Sequence, residues 1–410
     1  MNNKTNGINM LGVKIQNRSS ILNLIYRTGG ISRKEIANKL NLTPAAITLI
    51  TTDLINEGIL IESYAEQNNN RKGRKEIILE INYKKFAAIG VYISKNKFQI
   101  ICIDLKNNVL FEDTIFTADC HKQSSAILDK ICAILKLHLK NYDVIRTRTL
   151  LGVGVSVKGI VNSRKGISIN SYEIWEDNVN VVEYLQNKLN LPTILTNNIC
   201  SLAHGESFFS QLEHPDNMLF IKYGPGVGAA RVSYQDTLSV YDFNAIQLGH
   251  TISDPNGIVC VCGNQGCLET IASFDAIESN AAELMSKNLS PTLFNLTDGN
   301  PDNINIHLIT KAYEEGDKAI TSIINRSIYY LSIAIKNAMC LFDPESVILY
   351  GEFFELEKFR TNLLIQLSRY SGYKKVAFSS YNLQLETLGP ASTIINHFFQ
   401  NGGLIDIPKH

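Results

Sequence analysis

One imidazole and three thiols lie within eighteen residues: Gly249-His250, then Cys260-Val261-Cys262-Gly263-Asn264-Gln265-Gly266-Cys267-Leu268-Glu269. His250, Cys260, Cys262 and Cys267 together supply the tetrahedral Cys3His set that a structural zinc ion requires. Gly257, Gly263 and Gly266 let the backbone fold around such an ion, and Cys260 and Cys262 are too close to pair comfortably with each other. The plainer alternative is a set of buried free cysteines. The remaining cysteines, Cys102, Cys120, Cys132, Cys200 and Cys340, sit singly in apolar segments and are expected in the core. A second signal is Tyr223-Gly224-Pro225-Gly226-Val227-Gly228 after an apolar stretch. Such a loop either cradles phosphate or forms a tight hairpin.

A different chemistry is written into the first eighty residues. Ser32-Arg33-Lys34-Glu35 is a capping box, followed by Ile36, Ala37 and Leu40 on one helical face. Thr43-Pro44 opens the next helix as N-cap and first-turn proline, with Ile47, Ile50 and Leu54 on its buried side and Gly58 at its end. An earlier helix spans Arg18 to Arg27 and stops at Gly29-Gly30. Two short helices joined by a tight turn match a helix-turn-helix. The strands expected at Ile59–Ser63 and Glu76–Ile81 flank Arg71-Lys72-Gly73-Arg74-Lys75, which makes the unit a winged helix with a basic tip. Arg71, Lys72, Arg74 and Lys75 suit phosphate or minor-groove contact. Ser32, Arg33, Thr43, Ala45, Thr48, Leu49 and Thr52 complete the expected DNA-facing set. With no Arg or Asn among the third-helix positions, bidentate base contacts are few, and an A·T-rich operator read partly through shape is expected. The alternative is a trihelical protein-interaction domain with a solvated basic loop.

The chain has 410 residues, of which 45% are hydrophobic and 19% charged, an ordinary globular composition. Its zero net charge conceals an asymmetry: residues 1–82 carry 11 Lys and Arg against 7 Asp and Glu, leaving an acidic remainder. No stretch approaches the roughly 18 apolar residues of a membrane span, and the polar start MNNKTNGIN differs from a signal peptide. A cytoplasmic location is expected, with no membrane partner. The domain boundary is placed at residue 82, giving a DNA-binding domain over 1–82 and a ligand-binding and dimerisation domain over 83–410. In the latter, strands Phe86–Ile93, Phe98–Asp104 and Val109–Thr114 precede a helix near Ser124–Leu139. A strand Leu150–Val157, a helix Val181–Leu189 and a strand Thr193–Thr196 follow, and a second unit starts at Asn217–Tyr223, with a further strand at Ser346–Tyr350. This alternation predicts an α/β body with mixed sheets.

Taken in order, the winged helix, α/β body, Gly-x-Gly-x-Gly loop, Gly-His and Cys-x-Cys-Gly-x-x-Gly-Cys-Leu-Glu resemble the ROK family (repressor, open reading frame, kinase). The likeness runs from about residue 14 to 400 and is greatest for the branch of sugar-responsive repressors that includes xylose and N-acetylglucosamine repressors. The resemblance implies a two-lobed actin-like, ribonuclease H-like sugar-kinase fold with sugar bound in the cleft. It places Gly159, Asn197 and Glu269 at the sugar, and His250, Cys260, Cys262 and Cys267 on the zinc. His250 would also reach a sugar hydroxyl through its second nitrogen, its ring being oriented by the metal.

The sequence departs from the family kinases at several points. Their Asn-Asp pair, whose aspartate takes the proton from the sugar hydroxyl, is Asn197-Asn198 here, and an amide cannot act as that base. The family glutamate three residues before the histidine is Gln247. The first phosphate loop, Asp-x-Gly-Gly-Thr, aligns with Tyr92-Ile93-Ser94-Lys95-Asn96, and Lys158 stands where a proline precedes Gly159. The glycines beside the nucleotide are broken near Tyr350-Gly351-Glu352. No ATP and no enzymatic activity are therefore expected. The expected protein is a homodimer, or a tetramer built from it, that represses carbohydrate-utilisation genes, xylose metabolism among them. It would grip palindromic operator DNA and be released by a sugar held between Gly159, Asn197, Asn198, Gln247, His250 and Glu269. The rivals are an active ATP-dependent sugar kinase carrying a DNA-binding domain, and a ligand-free scaffold relieved by a protein partner. Trp175 either stacks on ligand or plugs its lobe; Lys158 either meets an anionic ligand or forms a surface ion pair; His204 is expected to be structural.

Overall fold

Local signals in the first eighty residues produce the elements expected of them. In the computed structural model, which describes residues 10–64, 77–117, 123–141, 146–171, 174–176, 178–209, 217–235, 240–370, 375–381 and 384–405, helix α1 spans Met10–Thr28, α2 Arg33–Leu40 and α3 Pro44–Asn56. Helix α1 starts earlier than its apolar spacing indicated. The Ser32–Glu35 capping box forms in both directions, and the Thr43 hydroxyl caps α3 by accepting from the Ala46 N–H. Asn41 closes α2 in the left-handed region (φ 51°), and Gly58 (φ 70°) turns the chain out of α3. Strands β1 (Ile31–Ser32), β2 (Leu60–Tyr64) and β3 (Ile77–Ile81) make a small sheet in the order β1-β3-β2. Ile21, Leu22, Ile25, Ile36, Ile47 and Leu54 fill the core beneath it. Arg71, Lys72, Arg74 and Lys75 of the basic tip lie outside the described residues.

The body repeats one strand scheme twice. Strands β4 (Phe86–Ile93), β5 (Lys97–Asp104) and β6 (Val109–Phe116) form an antiparallel meander, and β7 (Thr149–Val157) and β11 (Thr193–Asn197) add in parallel, giving the order β11-β7-β4-β5-β6. Strands β12 (Asn217–Tyr223), β13 (Val227–Gln235), β14 (Val240–Ile246), β15 (Ser346–Tyr350) and β16 (Lys375–Phe378) are ordered β14-β13-β12-β15-β16, with β15 and β16 again parallel. Three strands in sequence with two parallel strands added beside the first is the ribonuclease H-like arrangement. Short strands β8 (Ile160–Asn162), β9 (Ile167–Asn170) and β10 (Val179–Asn180) form a separate ribbon.

Helices α4 (Ser124–Asn141), α5 (Val181–Leu189) and α6 (Asn198–Phe209) belong to the first unit. The second carries α7 (Glu269–Ala272), α8 (Phe274–Leu284), α9 (Pro291–Leu296), α10 (Ile306–Glu314), α11 (Lys318–Phe342) and α12 (Glu357–Ser368). Helix α13 (Gln384–Gln400) returns to the first unit. The winged helix belongs to that same unit, joined there by the buried Arg18. Its guanidinium donates to the Gly402 carbonyl (2.7 Å) and pairs with Glu57. Among the described residues no helix is long and apolar enough to cross a membrane. Cys102, Cys132 and Cys200 are buried as expected, and burial pushes the Cys102 thiol up to about 12. Cys340 is not a core residue: it is exposed on α11, one position beyond the buried Met339. Cys120 lies outside the described residues.

Seating α13 on the sheet demands bare backbone. A Cβ on Gly154 of β7 would stand 1.8 Å from the Pro390 carbonyl oxygen, and one on Gly90 of β4 2.8 Å from the Thr387 oxygen. Gly154→Ala is expected to cost about 1–3 kcal/mol by overpacking, read as a lowered urea midpoint. Gly224→Ala, whose Cβ would meet nothing nearer than the Phe274 ring at 4.0 Å, leaves the midpoint nearly unchanged; equal effects of the two would refute this packing account.

Candidate functional site

The cysteine knuckle is built by a tight reversal. The Cys260 N–H donates to the Asn264 carbonyl (2.7 Å), the Gly263 N–H donates to the Cys260 carbonyl (2.9 Å), and isolated bridges join Val259 to Gln265 and Ile252 to Cys267. Gly266, at φ 74°, has the Asp254 carbonyl oxygen only 1.6 Å from where a Cβ would sit, so a side chain there cannot be accommodated. The knuckle brings one ligand atom each from His250, Cys260, Cys262 and Cys267 within 4.8 Å of one another. The Sγ atoms of Cys262 and Cys267 are 3.6 Å apart, and the Cys260 Sγ lies 3.6 Å from the His250 Nδ1. Tetrahedral ligands about 2.3 Å from a zinc ion stand about 3.8 Å from each other, so the cluster fits a metal ion of that size. The backbone N–H of Asn264 holds the Cys262 thiol below its ordinary value. Burial, with the other two thiols beside it, pushes Cys267 up to about 12. As thiolates, three sulfur atoms this close would repel one another unless a cation neutralised them.

Two residues past Cys267, Glu269 opens α7. Its Oε1 accepts from the Val227 N–H (2.8 Å), and its Oε2 lies 3.9 Å from the His250 Nδ1. The glycine-rich stretch is therefore a tight β12–β13 hairpin, in which the Gly224 N–H donates to the Gly226 carbonyl (3.1 Å). Its glycines serve the carboxylate: a Cβ on Gly226 would stand 2.7 Å from the Glu269 Oε1, and one on Gly249 2.7 Å from its Cγ. Val227 is a position of the candidate site that inspection of the sequence missed, its N–H orienting the Glu269 carboxylate. The glycine spacing was visible, but the acceptor lies in a distant segment. Gln247, at the start of the short 3-10 turn Leu248–His250, is exposed, and its carbonyl accepts from the His250 N–H (3.0 Å).

In the first unit, Asn197 ends β11 and Asn198 begins α6; both are buried. The Asn197 Nδ2 donates to the Gly159 carbonyl (2.5 Å) and its Oδ1 accepts from the Ile199 N–H (2.8 Å). Gly159 sits at φ 109°, with the Asn170 carbonyl oxygen 2.0 Å from a hypothetical Cβ. Three expected site residues, Gly159, Asn197 and Asn198, are thus neighbours at one strand end, while Gln247, His250 and Glu269 gather in the other unit.

Several sequence alternatives resolve. Trp175 is buried in the first-unit core, its indole N–H donating to the Ser168 hydroxyl (3.1 Å), so it plugs its lobe. His204 is buried and uncharged, desolvation lowering its pKa to about 3. Lys158 is exposed. Tyr92 and Ile93 end β4 and Ser94–Asn96 form the β4–β5 turn, where the N–H and the hydroxyl of Ser94 both donate to the Lys97 carbonyl (2.9 Å each). At Tyr350-Gly351-Glu352 a pocket of the second unit is lined by Tyr350, Glu352, Phe354, Glu355, Arg360 and Tyr381.

On the winged helix, Thr43, Ala45, Thr48, Leu49 and Thr52 are exposed along α3, and Leu49 keeps 65% of its surface. Ser32 is buried and bound to Glu35 (2.9 Å), which leaves its side chain a capping role. The Arg33 guanidinium donates to the Thr51 hydroxyl (3.0 Å) and pairs with Glu62 (2.8 Å).

Known proteins share these features. A winged helix-turn-helix DNA-binding pattern matches residues 16–61. The N-acetylglucosamine repressor of Escherichia coli O157:H7 is 29% identical over 349 residues, covering 84% of this chain and 82% of its own length. The xylose repressor of Bacillus subtilis (strain 168) is 23% identical over 392 residues, covering 94% and 96%. Among solved structures, a ROK family transcriptional regulator described as a homologue of the E. coli MLC protein superposes with a TM-score of 0.80 at 24% identity, over 95% of this chain and 98% of that one. A ROK family glucokinase from Streptomyces griseus, solved with glucose and AMPPNP, gives 0.61 at 21%, over 75% and 98%. The fold is therefore the winged helix followed by the actin-like kinase architecture. With the ROK family pattern matched across residues 88–384, the chain belongs to the ROK family.

Proposed function

We propose that this protein is a sugar-responsive transcriptional repressor of the cytoplasm, a homodimer whose kinase-like body binds carbohydrate without phosphorylating it. The observation that carries the reading is a winged helix with an exposed Ala45–Thr48–Leu49–Thr52 face on the same chain as a ROK body. Relatives bearing the name repressor match this chain over more than four fifths of their length. Threonine, alanine and leucine at the groove favour apolar contact with thymine methyls, while phosphate contacts set register and most of the affinity.

Sugar would be held by neutral amides and one carboxylate. Asn198 and Gln247 donate as well as accept, which widens the hydroxyl patterns they can match. Glu269, fixed by the Val227 N–H, offers a preoriented acceptor. Against phosphoryl transfer stand the amide of Asn198 in place of a general base, the stapled Ser94–Lys97 turn in place of a phosphate loop, and the Glu352 and Glu355 side chains beside Gly351. The Cys3His cluster would hold zinc in a closed, structural role, orienting His250 and fixing the strand that leads into Glu269; the reduced thiols it needs suit a cytoplasmic protein.

Four outcomes are expected. Gel retardation at fixed salt, challenged with D-xylose, N-acetyl-D-glucosamine and D-glucose, shows release by one of them. Asn198→Ala weakens that sugar's affinity about tenfold by calorimetry, the worth of a hydrogen bond or so. Sugar-dependent ATP consumption by the purified protein would instead establish the kinase. Leu49→Glu, on an exposed position, lowers DNA affinity at least about tenfold with an unchanged melting curve; intact binding would place the DNA interface elsewhere. Metal analysis gives one zinc per chain, and Cys262→Ser lowers both that ratio and the melting temperature; a wild-type protein purified without bound metal would refute the zinc assignment.

A further inference from the structure

Helix α6 starts at the candidate ligand amides and ends at the DNA-binding domain. Asn198 is its first residue, and the Asn197 side chain holds its first turn through the Ile199 N–H. At roughly 1.5 Å per residue, its twelve residues carry the chain about 18 Å away. There the Phe208 ring lies 5.5 Å from Tyr26 of α1 and stacks on Phe399 of α13 at 6.2 Å and 10°. Tyr26 in turn lies 5.1 Å from Phe399 and 6.4 Å from Tyr83, so one aromatic cluster joins α1, α6 and α13.

Between these ends α6 has no slack against α13. A Cβ on Gly205 would stand 3.2 Å from the Gly389 Cα, and one on Gly389 2.4 Å from the Ser201 carbonyl oxygen. Helices in such backbone contact cannot slide or bend past each other without a clash, and close-packed interiors transmit strain rather than absorb it. A displacement of the first turn of α6 is therefore delivered to its last. The first turn is also placed to respond. Both ends of the Asn197 amide are engaged, with the Gly159 carbonyl and the Ile199 N–H, and a hydroxyl-rich ligand that recruits this amide competes with both bonds.

We propose that α6 conveys ligand occupancy at Asn197–Asn198 to the winged helix, with Phe208 against Tyr26 as the coupling contact. This deepens the repressor reading and rests on it. Phe208 lies at the opposite end of α6 from the ligand amides and outside the exposed face of α3, so it is a positioning residue. Its loss should abolish communication while leaving the two binding activities in place.

The full-length protein is compared with Phe208→Ala, Tyr26→Ala and Tyr26→Phe. Calorimetry with D-xylose, N-acetyl-D-glucosamine and D-glucose gives sugar affinity. Fluorescence anisotropy on a DNA site recovered by random-site selection gives DNA affinity with and without each sugar. For an effector of ordinary strength, the wild type changes DNA affinity roughly 5- to 150-fold on sugar binding, and Phe208→Ala is expected to bind that sugar within about twofold of wild type yet change DNA affinity by less than about twofold. Tyr26→Phe, which keeps the ring, retains the response. If Tyr26→Ala unfolds the winged helix, Phe208→Ala decides alone, since it lies outside that domain. A full sugar response in Phe208→Ala overturns the inference and leaves the repressor reading intact. A wild type that gives no heat and no change in DNA affinity with any of the three sugars removes the reading itself, and the relay with it.

Discussion

The first unit depends on the return of the chain's last helix. The sheet built from residues 86–197 leaves bare backbone at Gly90 and Gly154, and α13 fills that space with Thr387, Pro390 and Ala391 in direct backbone contact. Contacts between residues so distant in sequence carry a loop-closure cost that local contacts escape, one that grows only slowly with separation. The same helix leads into Gly402, whose carbonyl receives the buried Arg18 guanidinium, and into Gly403, packed against Ile59 and Leu22. A buried arginine is tolerated only because its donors are met by Glu57 and that carbonyl. The winged helix is thus fixed to its neighbours by a charged contact between residues 384 positions apart.

The second unit concentrates its chemistry in a short stretch. Three sulfur atoms and an imidazole stand at the spacing of metal ligands, and the carboxylate of Glu269 follows two residues later, aimed by the Val227 N–H. Elements from three separate segments meet there: the β12–β13 hairpin, the 3-10 turn at His250 and the knuckle itself. Glycines at 226, 249 and 266 are the points of closest approach, where any Cβ would meet an oxygen or a methylene at under 3 Å. Precision in this region comes from removing side chains as much as from adding them.

The surface proposed to face DNA follows a different economy. Arg33, at the start of α2, is held by Thr51 and Glu62, and the exposed face of α3 is short, apolar and hydroxylated. Such a surface, if it meets DNA as proposed, would discriminate through methyl contacts and groove shape rather than through bidentate hydrogen bonds. That division separates the residues that specify a sequence from those that set affinity.

Much was legible in the residues themselves. The capping box at Ser32–Glu35, the Thr43-Pro44 start and strands such as Phe86–Ile93 and Asn217–Tyr223 are set by hydrogen bonds and periodicities spanning a few positions, and they occur where the sequence placed them. The metal-ligand cluster was equally visible, because its four residues lie close along the chain. Tertiary packing decided the rest. Cys340 has apolar neighbours in sequence, yet the helical period turns it outward beside the inward Met339. Trp175 went to the core, and the glycine-rich hairpin to the support of a carboxylate more than forty residues on. The family likeness set Asn197 and Asn198 at a ligand; only the folded chain revealed that the helix they open runs on to Tyr26. Local bonding is encoded by neighbours in sequence, whereas the partner of a buried amide or an aromatic ring is chosen by which distant backbone can come close enough to exclude water.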